Sequence, residues 1–147
     1  MKEIKKIKIK SLTGFSLVEL LVVVAIIGIL SAVGVVSYGG YVSGAKEKST
    51  KNVMLQISLA QTEEYSNNGS YFIQDDSSSC TPSSSNSDAI ETALFGGGDQ
   101  IPKDMGYEIC IAAGTGSSNF IIIAEEISGA CQLTLSRNGN FTRGDDC

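Results

Sequence analysis

The chain has 147 residues, a formal net charge of −5 and no histidine, so no serine–histidine or cysteine–histidine catalytic set is possible and the commonest transition-metal ligand is missing. Residues 1–14 hold five of the eleven basic residues against Glu3 alone, whereas fifteen of the sixteen acids lie beyond them. So acidic a body argues against general nucleic-acid binding, which needs clustered Lys and Arg for phosphate contacts.

Residues 1–13, MKEIKKIKIKSLT, alternate isoleucine with lysine. Taken alone they are a solvated basic tail. In front of an apolar segment they hold the start of the chain on the cytoplasmic side and send the rest outward. That segment follows at once: Leu20 to Leu30 is apolar or glycine throughout, and from Phe15 to Val36 only Ser16, Glu19 and Ser31 are polar. At 1.5 Å per residue, such a helix rises about 33 Å, enough to cross a bilayer's hydrocarbon core. A charge at the centre of a membrane helix costs about 2.5–3.5 kcal/mol on insertion scales, so Glu19 is expected to have a partner or a task. Cleavage between Gly14 and Phe15 would create an α-amine one helical turn from Glu19 and on the same face. Opposite charges so placed compensate each other in apolar surroundings. An ordinary secretory signal ending near Ala32-Val33-Gly34 fits less well, because the run is too long and Glu19 interrupts its start. A plain single-span anchor leaves Glu19 unexplained.

Residues 14–35, GFSLVELLVVVAIIGILSAVGV, resemble the class III signal and first helix of type IV pilins and their relatives. The shared pattern is a short basic leader, Gly, an aromatic residue, Glu four residues later, and a long apolar helix. The resemblance implies cleavage after Gly14 by a prepilin peptidase, N-methylation of Phe15, and pairing of Glu19 with the Phe15 amine of an adjacent subunit. It also implies a pilin-like α+β fold: a long N-terminal α-helix, transmembrane in its first half, packed on a small antiparallel β-sheet of three to four strands. The expected organisation is a leader at 1–14, a transmembrane and filament-core helix at 15–36, an amphipathic continuation at 37–66, and an exported β-rich head at 67–147. The sequence departs from the family where Val36 stands in place of a frequent proline, around which the helix often unwinds in filaments.

No proline interrupts residues 15–66, which read as one continuous helix. Gly34, Gly39, Gly40 and Gly44 weaken it by up to about 1 kcal/mol each, and equally allow close helix approach. Beyond Gly44, Lys46, Glu47, Lys48 and Lys51 suit solvent or headgroups. Val53, Ile57 and Ala60 form a stripe flanked by Met54 and Tyr65, while Leu55 and Leu59 fall nearly opposite. That second apolar face is either the margin of a wide core stripe or a surface for neighbouring subunits. Asn67-Asn68-Gly69 stops the helix, and Tyr71-Phe72 anchors the chain that follows.

Residues 74–88, QDDSSSCTPSSSNSD, read as an exposed serine-rich loop. Asp88–Phe95 reads as a short helix ended by Gly96-Gly97-Gly98. The triple glycine is no phosphate loop, since no Lys-Ser or Lys-Thr follows it. Tyr107–Ala113, Phe120–Glu126 and Gln132–Ser136 read as strands. Asn138-Gly139 is a hairpin signal leading into Phe141-Thr142.

Four cysteines, Cys80, Cys110, Cys131 and Cys147, all follow the apolar segment, at spacings of 30, 21 and 16. These intervals lack the close pairs of a zinc site, and an even count in an exported domain reads as two disulfides with three possible pairings. The preferred pairing is Cys131–Cys147, which resembles the C-terminal loop that many pilins close, together with Cys80–Cys110. The acids Asp75-Asp76, Glu125-Glu126 and Asp145-Asp146 are adjacent in sequence, and neighbours in a strand point to opposite faces, so no catalytic dyad is expected. No EF-hand spacing supports calcium, and no metal or cofactor is expected.

The reading is of a non-enzymatic pilus subunit. Its expected partners are its own copies in a filament, a prepilin peptidase and methyltransferase, the inner-membrane assembly machinery, and the bilayer before assembly; no direct nucleic-acid partner is expected. The precursor belongs in the bacterial inner membrane with its head in the periplasm, and the assembled form outside the cell, serving motility, adhesion or DNA uptake. The alternatives are a type II secretion pseudopilin and a monomeric membrane-anchored binding module.

Overall fold

A single helix, α1, runs from Leu17 to Asn68. The computed structural model describes residues 14–115, 119–129, 131–145 and 147; the basic leader expected at 1–13 and Asp146 of the acidic pair lie outside the described residues. The chain divides between Tyr41 and Val42 into two compact units. In the first, every large apolar side chain from Leu17 to Tyr41 is exposed. The interior glycines do not interrupt the helix, whose backbone hydrogen bonds offset their weak propensity. It stops where expected: Gly69 takes φ +72° and donates its N–H to Tyr65 O at 2.8 Å.

The second unit packs the rest of α1 against a four-stranded antiparallel sheet, β1 (Tyr107–Ala113), β2 (Phe120–Glu126), β3 (Gln132–Ser136) and β4 (Phe141–Arg143), in that spatial order. The fold is α+β and pilin-like, with four strands. Alternation decides the inner face: Ile109, Ile111, Phe120, Ile122, Leu133 and Leu135 are fully buried with Met54 and Ile57 of α1. Each such side chain contributes about 1.5–3 kcal/mol relative to exposure. The buried stripe of α1 is Thr50, Val53, Met54, Ile57 and Gln61, whereas Leu55 and Leu59 are 44% and 73% exposed. The second apolar face is therefore not the margin of the core.

The outer face of the sheet carries a smaller cluster, Cys110, Ala112 and Ile123, covered by Cys80 and Ile121. Covalent bonds join Cys80 to Cys110 and Cys131 to Cys147.

Two expectations need correction. The second helix, α2, spans Ser84–Phe95 and not Asp88–Phe95. Ser83 caps it, its hydroxyl accepting from the Asn86 N–H at 3.2 Å, so the serines are the first turn of a helix. Nor is 74–88 simply an exposed loop, because it seals the outer edge of β1. Ile109 N–H donates to Ser87 Oγ at 3.0 Å, Ile111 N–H to Gln74 Oε1 at 2.9 Å, and Ala113 N–H to Asp75 O at 2.8 Å. A bare edge strand invites pairing with another chain, and these residues remove the vacancy.

A 3-10 turn at Lys103–Met105 was not anticipated. It ends at Gly106, whose φ of +79° disfavours any side chain and whose Cβ would stand 3.1 Å from Lys46 Nζ. The hairpin at Asn138-Gly139 keeps only Gly139 at positive φ (+81°), so it is a glycine-ended three-residue loop and not a type I′ turn.

Candidate assembly site

Gly14, Phe15 and Ser16 precede the first turn of α1, so the Gly14–Phe15 peptide lies outside the helix. Ser16 and Glu19 close on each other. The Ser16 N–H and hydroxyl both donate to Glu19 Oε2, at 2.9 and 2.7 Å, and the Glu19 N–H donates back to Ser16 Oγ at 3.3 Å. This is a capping box, two N–H donors at the start of the helix satisfied reciprocally. The carboxylate also lies where the helix dipole favours negative charge. Composition had singled out Glu19 as an acid in need of a partner; the missed signal was the spacing Ser-x-x-Glu, which supplies a first one within the chain. Phe15 is joined to Gly14 here and carries no α-amine. Glu19 Oε1 accepts no hydrogen bond among the described residues.

Behind this box the apolar side chains find no cover among the described residues: Leu17 and Val36 are each 79% exposed, and even Val23 is 44% exposed. The helix is long and apolar enough to cross a membrane.

In the second unit the adjacent acids Glu125 and Glu126 do not come together as a dyad. Glu125 and Glu126 point to opposite faces; Glu125 instead stands directly across from Glu108, and Glu126 from Tyr107. Asp75 accepts the Ser77 N–H at 2.8 Å, a bond that holds its carboxyl below the ordinary value. Among the described residues no group of three His, Cys, Asp or Glu side chains is placed to hold a metal. Glu47 Oε1 meets Lys51 Nζ at 2.8 Å and its Oε2 meets Arg143 Nη2 at 3.3 Å. The hydrogen bond from Lys51, helped by the charge of Arg143, holds the Glu47 carboxyl below its usual range.

Residues 11–35 match the family model for the prokaryotic N-terminal methylation motif. Two proteins of Dichelobacter nodosus, each described as a probable minor fimbrial protein, are 32% and 33% identical to the chain over 111 residues. The motif and these relatives support a type IV pilin family. The aligned part is 76% of this chain and 63% of each relative, so the chain spans less than two thirds of the relatives' own length. No solved structure matches it significantly.

The exposed stem and the Ser16–Glu19 box can do two things chemically. They place one peptide bond beside a helix start, where no helical hydrogen bond has to break to reach it. They also hold one half-occupied carboxylate at the end of an apolar surface. The head adds a second uncovered apolar strip, Leu55 and Leu59, on the face of α1 turned away from its own sheet.

Proposed function

We propose that this chain is a structural subunit of a type IV pilus, made as a membrane-anchored precursor, cut between Gly14 and Phe15, N-methylated on Phe15, and packed into a filament by its apolar helix. The observation that carries the reading is an uncovered run of apolar side chains from Leu17 to Val36 that begins with the sequence Gly-Phe-Ser-Leu-Val-Glu. Lipid covers that run before assembly, and the stems of other copies cover it afterwards. The basic leader stays cytoplasmic, the head faces the periplasm, and the partners are the prepilin peptidase, the inner-membrane assembly machinery and further pilins. The function is assembly and not turnover.

Glu19 sets the register of docking. Its Oε2 is held by Ser16, while Oε1 is open to the Phe15 amine of a neighbouring copy. In an apolar interior a carboxylate left without that amine is strongly unfavourable, so copies in the wrong register are rejected. Two disulfides and the fimbrial relatives favour a pilus over a type II secretion fibre.

Gly14→Ala is expected to leave the precursor uncut, and mass spectrometry of the wild-type subunit to give methylated Phe15 as its first residue. Glu19→Ala is expected to insert and to be cut but to enter filaments poorly, as scored by negative-stain microscopy of sheared surface material. A wild-type subunit that starts at Met1, or normal filaments from Glu19→Ala, would overturn the corresponding part.

A further inference from the structure

We propose that a cavity beside β1 receives the Lys48 side chain of a second copy of this chain, an inference that rests on the filament reading above. The cavity, about 120 Å³ and lined by parts of α2, the 3-10 turn and β1, is roomy enough for one side chain. Ile101 and Tyr107 form an apolar floor, Ile127 stands on its lip with 64% of its surface exposed, and Asp88 and Glu108 bring two carboxylates to it against the single ammonium of Lys103, which leaves one negative charge for an incoming cation. This chemistry fits a group with an aliphatic stem and a cationic end, which lays its methylenes on apolar surface and keeps its charge among polar atoms.

The acids at the cavity are poorly compensated within the chain. Asp88 meets only Lys103, at 3.8 Å, with both side chains more than half exposed, a contact that water weakens. Glu108 stands opposite Glu125 on the outer face of the sheet, and like charges so placed destabilise a strand pair. No ion pair reaches Glu108 or Glu125 among the described residues. A cation brought from outside relieves that repulsion.

Lys48 is suited to supply it. It is exposed on α1, and Leu55 and Leu59 follow it 7 and 11 residues later. At 100° per residue these fall within about 20° of its direction. One strip of α1, turned away from its own sheet, thus carries a lysine followed by two uncovered leucines. The receiving surface of α2 and β1 is a different patch of the molecule. A contact between unlike patches does not close on itself as a two-fold contact does, and it repeats from copy to copy, as a filament requires.

The test uses the full chain, expressed with its own assembly machinery, in two arms. In the first, carbodiimide joins touching Lys and carboxylate side chains in purified filaments, and mass spectrometry reads the linked peptides. Linkage of Lys48 to Glu108 or Asp88, present in filaments and absent from detergent-dispersed subunits, is expected; filaments without it overturn the inference. In the second arm, Lys48→Glu and Glu108→Lys are each expected to lower the yield of sheared filaments about tenfold or more, the usual scale for a lost buried charge pair, and the double variant to recover most of it. Equal amounts of processed, disulfide-bonded subunit in the membrane show that the single variants fold. Normal filaments from Lys48→Glu, or a double variant no better than the singles, overturn the inference while leaving the filament reading intact. A wild-type chain that forms no filament overturns both.

Discussion

Gln61 of α1 holds both backbone groups of Phe72: its Nε2 donates to Phe72 O at 2.6 Å and its Oε1 accepts the Phe72 N–H at 2.9 Å. Gln61 is fully buried, and this pair of bonds ties the chain leaving α1 back onto the helix it has just left. Replacement by Leu keeps the volume but leaves a donor and an acceptor without partners, each costing about 1–3 kcal/mol where it stays buried. Gln61→Leu is therefore expected to lower stability by about 2 kcal/mol or more. Thermal unfolding of the detergent-solubilised chain, followed by circular dichroism, measures it; an unchanged midpoint would mean that water replaces the amide.

The Cys131–Cys147 bond spans 16 residues and encloses β3, the hairpin and β4. A loop of that size restricts the unfolded chain by about 3 kcal/mol in the chain-entropy account. Strand β4 has three residues, all exposed, held otherwise by its pairing with β3 and by the Arg143–Glu47 ion pair. The double replacement Cys131→Ser with Cys147→Ser is expected to cost about that much and to raise amide exchange first at Phe141–Arg143. Uniformly raised exchange would show that the bond supports the whole head and not this edge.

Glu47 gives the pH dependence a sign. Its folded pKa lies below its unfolded value because Lys51 and Arg143 favour the carboxylate, so its stabilisation is present above the unfolded value of about 4.5 and is lost as pH falls through the folded one. Exposed ion pairs of this kind contribute about 0.2–1 kcal/mol. Glu47→Gln is expected to lower the melting temperature at pH 7 and to leave it unchanged at a pH below both values. An equal loss at the two pH values would assign the effect to packing.

Leu59 separates assembly from folding. With 73% of its surface exposed and no place in the core, Leu59→Asp is expected to change stability by no more than about 0.5 kcal/mol, the range of surface substitutions. If the strip it shares with Leu55 meets other copies, filament yield falls while the amount of membrane-inserted subunit is unchanged. A fall in both would place Leu59 in the fold.

Much of this protein follows from short-range signals, and these are the parts that sequence determined by itself. The unbroken helix, its stop at Gly69, the three long strands and the glycine end of α2 each depend on hydropathy period, turn residues or chain entropy acting within about ten positions. The apolar stem and its lone acid were legible for the same reason. The start of α2 was misplaced because a serine run looks the same in a loop as in a capped first turn; Ser83 acts as a cap only once Asn86 stands over it. Tertiary structure alone decided what depends on bringing distant residues into register. It set Gln74 and Ser87 on the edge of β1, buried the polar Thr50 and Gln61 within the apolar stripe of α1 and Glu91 on α2, and stood Glu108 against Glu125. Each of these is a cross-chain partnership, and partners that meet only after the sheet has closed leave no periodic mark on the sequence.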